Sequence, residues 1–179
     1  MGEISLRRRA EPRLGGEILY EVKLNEDFVT SSLFTEAESQ LSRLGLAAMQ
    51  GSDWDIVVGG LGLGYTAVAA LENPSVRTLT VIDVMEPVID WHRRGLVPLG
   101  KELTSDPRCS LVLADFFAVA ASASGGFTSA VPTPLVHAIL LDIDHSPSNW
   151  LNPGNGPVNT KQGLGNVGEQ IRSACILRP

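Results

Sequence analysis

Cysteine is scarce in this sequence of 179 residues. Cys109 and Cys175 stand far apart and in no metal-ligand spacing, which excludes a disulfide framework or a zinc ribbon and fits a reducing compartment. Both are read as plain thiols, and no metal is expected. Long hydrophobic runs are missing too: none approaches the roughly 18 residues of a membrane span, and the start MGEISLRRRAEPRLGG has basic residues with no apolar stretch behind them. A soluble, cytoplasmic chain with no membrane partner is the expectation. Positive charge is in the minority. Lys and Arg number 14 against 20 Asp and Glu, so the net charge of −6 repels polyanions, argues against a nucleic-acid partner and favours cationic ligands.

What is present is a hydrophobic content of 44%, enough for a globular domain with a real core. Its first 30 residues have their own texture. GEISLRRR and GEILYEVKL both alternate apolar with polar residues, predicting an N-terminal β-hairpin over residues 1–30. The run Arg7, Arg8, Arg9 reads as a solvated strand edge before it reads as a phosphate patch. TEAESQLSRLGLAAMQG then places Thr35 and Glu38 in capping-box spacing and stops at Gly51, predicting a helix.

From Trp54 the pattern becomes that of an α/β unit. WDIVV, TLTVI, SLVLA and HAILL read as short buried strands, separated by the helical stretches YTAVAALEN, EPVIDWHRRGL and DFFAVAA and by a Gly/Ser/Pro loop at 122–134. Strands alternating with crossovers predict an α/β fold, a Rossmann-like, doubly wound, mostly parallel sheet over residues 31–179. Directly after the first of these strands comes GGLGLG. Glycines there let a backbone approach a ligand closely, and the next helix starts beyond them. Gly62, Gly64 and Ala67 match the dinucleotide pattern G-x-G-x-x-A, and Asp83 ends the following strand 19 residues after Gly64. An acid there accepts hydrogen bonds from ribose hydroxyls, which NAD and S-adenosylmethionine share.

The later strands separate those ligands. Asp115 follows the third, and Asp142 and Asp144 follow the fourth, so successive strands deliver carboxylates to the crevice where open α/β sheets bind ligands. Carboxylates suit a cationic, amine-bearing ligand and repel a pyrophosphate. Asp83, Asp115 and Asp142 also stand where they would cap a helix. His145 is a candidate proton carrier beside them, while His92, His137, Trp54, Trp91 and Trp150 read as packing residues.

DIVVGGLGLGYT, LTVIDVMEPVIDW, DPRCSLVLADFF and HAILLDIDHSP resemble successive motifs of the spermidine synthase family, a branch of the class I S-adenosylmethionine-dependent methyltransferase fold, over roughly residues 2–179. The resemblance implies S-adenosylmethionine or its decarboxylated form as cofactor, lined by Gly59, Gly60, Gly62 and Gly64. It implies Asp83 at the ribose, Asp115 and Phe116 at the adenine, and Asp142 as the carboxylate that orients and deprotonates a small-molecule amine acceptor. The expected activity is aminopropyl transfer to that amine. Two departures mark the chain. Gly62 stands where the family usually carries an aspartate that pairs with the aminopropyl ammonium, and DIDHSP replaces the usual D-S-S-D-P, with Asp144 as the shifted second carboxylate. Gly62 leaves room for an intact methionine carboxylate, so a small-molecule methyltransferase stays open, as do an inactive nucleoside-binding homologue and an NAD-dependent oxidoreductase. NTKQGLGNVGEQIRSACILRP resembles the family's helix before its fifth strand. The sheet is thus expected to be truncated after its fourth sequential strand, with an open edge that a second copy could cover as a homo-oligomer.

Overall fold

The computed structural model describes residues 2–120, 136–143 and 171–177. The N-terminal alternation forms an antiparallel pair, β1 (Ile4–Glu11) and β2 (Glu17–Leu24), joined through a single 3-10 turn at Pro12–Leu14. Arg9 Nε donates to Glu21 Oε1 across the pair at 2.9 Å, and the Arg8 guanidinium lies 6.0 Å from the Tyr20 ring centre. The arginine run is thus the matched outer strand of this sheet. A third strand, β3 (Asp27–Ser31), extends the expected hairpin. DFVTS is five residues long and lacks the alternation of its neighbours, so nothing in its pattern marks it.

Helix α1 (Glu36–Ala47) starts after Thr35, but the expected capping box does not form: Thr35 makes no side-chain cap. Glu38 instead lies on the stripe shared with Leu41, Ser42 and Gly45, the face that α1 buries, and is 8% exposed.

The main sheet contains β4 (Trp54–Gly59), β5 (Val76–Asp83), β6 (Cys109–Leu113), β7 (Val136–Leu141) and β8 (Ile171–Leu177), all parallel, in the order β6-β5-β4-β7-β8. The crossovers carry α2 (Tyr65–Leu71), α3 (Glu86–Arg93), α4 (Gly100–Ser105) and α5 (Phe116–Ala120). Every residue of β4 is buried, because both faces of the strand are covered. Trp54, Ile56 and Val58 join Leu79, Val81 and Val88 on one face, whereas Val57 joins Ile82, Phe116 and Ile139 on the other. That period of two across two cores is the doubly wound α/β architecture.

Strand β8 corrects one expectation. The sheet does not stop at its fourth sequential strand, because IRSACIL, read as the tail of a helix, pairs in parallel along β7 from Val136 to Leu141. The edge of β7 that was expected to be open is covered by the chain itself, and β8 becomes the edge strand on that side. No helix among the described residues is long and apolar enough to cross a membrane.

At the amino-terminal end of the sheet, Asp55 is buried at 3% exposure. It accepts from Arg77 Nε at 3.0 Å and Thr78 Oγ1 at 2.8 Å, while its backbone N–H donates to His137 Nδ1 at 3.0 Å. Burial pushes this carboxyl up, but the hydrogen bonds from Arg77 and Thr78 outweigh it and hold the group below the usual aspartate range. A carboxyl with a lowered folded pKa stabilises the fold above its unfolded value, near 4, and that contribution disappears as pH falls through the folded value. We expect Asp55→Asn to be less stable than the wild type at pH 7 and to lose less on acidification below about pH 4. Urea unfolding of both chains across that range checks this; parallel pH curves would remove Asp55 as an acid-sensitive tie.

Candidate functional site at the carboxyl ends of the strands

Strand β4 has β5 and β6 on one side and β7 and β8 on the other. Its carboxyl end is the point where the winding direction reverses, and there the loops on the two sides diverge and open a crevice. The glycine turn fills the head of that crevice. Gly60 has φ 94°, and a Cβ on it would lie 2.2 Å from the Asp142 carbonyl oxygen. The turn is also bonded on both sides, through Gly60 N to Ile82 O at 2.9 Å and Asp142 N to Gly59 O at 2.8 Å. A Cβ on Gly59 would meet the Phe116 ring at 2.8 Å, and one on Gly64 would meet Leu103 at 2.7 Å. Gly62 differs. With φ 49°, a Cβ on it would meet Thr30 Cγ2 at 3.7 Å, an ordinary van der Waals contact without a clash.

Asp83 ends β5 and is 5% exposed. Its Oδ2 accepts the Leu61 N–H and its Oδ1 the Met85 N–H, both at 2.7 Å. Burial pushes this carboxyl above the usual range, with the Met85 and Leu61 N–H groups acting against the shift. Asp83 therefore ties the glycine turn to the β5–α3 turn. His92, fully buried below, hydrogen-bonds Val88 O through Nδ1 at 2.9 Å, and burial lowers its pKa.

Asp115 follows β6, and its Oδ1 accepts from Phe117 N at 2.9 Å and Ala118 N at 3.1 Å, capping the start of α5. It also lines an open cleft of about 320 Å³ with Val84, Glu86, Pro87, Leu113 and Ala114. Phe116 points the other way, into the core below Gly59 and edge-on to Phe117, and does not line the cleft. Val84, Leu113 and Glu86 were not singled out from the sequence. The available signal was an apolar residue just beyond the strand-ending Asp83, left 39% exposed, and another ending β6, left 50% exposed.

Across the turn, Asp142 follows β7, and its Oδ2 accepts a hydrogen bond from Thr66 Oγ1 in the first turn of α2. Asp144 and His145 lie outside the described residues, as does Trp150. Among the described residues no three metal-ligating side chains cluster. Cys109 is half-buried, and burial pushes its thiol up to about 11, which leaves it a packing residue.

Over 93% of its length this chain matches the spermidine synthase of Thermotoga maritima, with a TM-score of 0.68 and 16% identity. The chain has the spermidine synthase fold. The same fold is matched in a spermidine synthase in complex with the transition-state analogue AdoDATO, at TM-score 0.68, 18% identity and 93% of this chain. A probable spermidine synthase from Corynebacterium glutamicum matches over 96% of this chain and 61% of its own, at TM-score 0.63 and 14% identity. In sequence, 76 residues are 30% identical to putrescine N-methyltransferase 1 of Nicotiana tabacum, covering 42% of this chain and 20% of that protein. No protein-family model matches. The chain spans about half the length of the first two synthases.

The turn's packing predicts unequal glycines. Gly62→Ala places its methyl in ordinary contact with Thr30 and carries only left-handed strain, roughly 1–2 kcal/mol. Gly60→Ala drives a methyl into the Asp142 carbonyl, so the strands must shift at a further cost of roughly 1–3 kcal/mol. Urea unfolding of the two variants orders them; equal losses would contradict the packing described.

Proposed function

We propose that the chain binds an S-adenosyl nucleoside in this crevice and transfers a carbon group from it to an amine of a small polyamine, with methyl transfer from intact S-adenosylmethionine as the reading the geometry supports best. The observation that carries it is Gly62. It places no carboxylate in the turn to pair with an aminopropyl ammonium, and a Cβ there would meet its nearest described neighbour, Thr30 Cγ2, at an uncrowded 3.7 Å, which is compatible with a methionine carboxylate at that end of the ligand. The similarity of 76 residues to a putrescine N-methyltransferase supports the same choice. Aminopropyl transfer from the decarboxylated cofactor is the second reading, favoured by the likeness to spermidine synthases over 93% of the chain.

The residues present fit such a nucleoside. Val84 and Leu113 offer apolar walls to a flat base, and Glu86 and Asp115 are carboxylates that accept from amino or hydroxyl donors in the same cleft. Asp83 takes the ribose end, where its carboxylate also holds the turn in shape. The bound group supplies an electrophilic carbon on a sulfonium. Asp142 orients the attacking amine and takes its proton as the nitrogen–carbon bond forms and the carbon–sulfur bond breaks, its electrons leaving with sulfur. Asp144 is proposed as the second carboxylate for the amine. The net charge of −6 favours a cationic acceptor.

Competition binding tests the cofactor choice. The wild-type chain is expected to bind S-adenosylmethionine more tightly than the decarboxylated form, and Gly62→Asp to shift that preference by pairing with the ammonium. Aspartate tolerates the left-handed φ at this position better than most residues. A wild-type preference for the decarboxylated form would overturn methyl transfer and favour aminopropyl transfer. Asp142→Asn is expected to keep nucleoside affinity and lose roughly 10² to 10⁴ in rate; an undiminished rate would remove Asp142 as the base.

A further inference from the structure

Thr66 was not anticipated as a functional residue, and its surroundings are unusual for a helix threonine. It is 3% exposed at the second position of α2. A buried helix threonine commonly bonds back to the carbonyl four residues earlier. Here the hydroxyl instead crosses to another strand, 76 residues away in sequence, and donates to Asp142 Oδ2. Glu38 O is also in reach, at 3.3 Å. A hydroxyl carries one proton, and the shorter contact to a carboxylate oxygen takes it. The Thr66 carbonyl is itself held from behind by Ser42 Oγ of α1, at 2.6 Å. The Asp142 backbone is fixed independently, by its N–H to Gly59 O at 2.8 Å.

Asp142 is thus fixed at the backbone from β4 and at the carboxylate from α2. A hydrogen bond to one oxygen sets the rotation of a carboxylate and hence the direction of the other oxygen. We propose that Thr66 is a positioning residue: it aims the Asp142 carboxylate at the acceptor amine, an inference that rests on the transferase reading of this site. The hydroxyl, rather than the methyl, carries the role. Valine would fill the same volume and satisfy packing alone, but it would remove the hydroxyl that donates to Asp142 Oδ2.

Thr66→Val and Thr66→Ser, alone and with Asp142→Asn, test the inference in the full chain. S-adenosylhomocysteine affinity is read by calorimetry, and kcat and KM by turnover of S-adenosylmethionine and its decarboxylated form with putrescine. Thr66→Val should keep nucleoside affinity and lose kcat by roughly 10- to 100-fold, the scale of a misdirected reacting group, with KM little changed. Thr66→Ser should restore most of the rate, and Thr66→Val should cost nothing further in Asp142→Asn. A wild-type rate in Thr66→Val overturns the proposal, as does failure of serine to rescue or an equal loss in the Asp142→Asn background. If the wild type binds no S-adenosylhomocysteine or turns over neither cofactor, the transferase reading itself falls, and this inference falls with it.

Discussion

The Asp83 carboxylate is the contact on which the site depends. A buried charge is costly unless it is hydrogen-bonded, and here two backbone N–H groups from different turns meet it, Leu61 from the glycine turn and Met85 from the β5–α3 turn. Neither N–H has a helix or strand partner to replace it, so losing the carboxylate would orphan two buried donors at once. The turn is pinned on both sides of Gly62. Asp83 holds Leu61 from the β5 side, and Asp142 packs on Gly60 from the β7 side.

Sheet order then decides which carboxylates meet. With β4 central, the chain ends β5 and β6 on one side and β7 on the other, so Asp83 and Asp115 stand at neighbouring strand ends, with Asp115 lining the cleft, while Asp142 stands across the turn. Separation by the turn gives the carboxylates different work. Asp83 braces and Asp115 caps α5, whereas Asp142 is held by a hydroxyl instead of by backbone donors alone. The same strand-end position thus carries three environments.

Much of this was legible in the sequence where one local rule decided the outcome. Continuous apolar runs bounded by glycine or aspartate marked β4 to β7, and the four glycines marked the turn. What was not legible depends on tertiary pairing. DFVTS has no pattern of its own and becomes β3 only by adding to β2; IRSACIL looked helical until parallel pairing along β7 made it a strand. The capping box at Thr35 and Glu38 obeyed a local rule that lost to the burial of the Leu41 and Gly45 face. The family resemblance implied Phe116 with Asp115 at the adenine, whereas packing on Gly59 turns the ring inward, away from the cleft that Asp115 lines. Thr66 carried no signal, since its partner lies on another strand.

The central claim is that an S-adenosyl nucleoside occupies the crevice formed by the glycine turn and the ends of β5 and β6. Hydrogen exchange of backbone amides, with and without saturating S-adenosylmethionine, locates the ligand directly. The account predicts slower exchange concentrated at residues 59–64, 83–87 and 113–116, with the N-terminal sheet unaffected and NAD producing no such pattern. Absence of protection in those three segments, or the same protection from NAD, would contradict it.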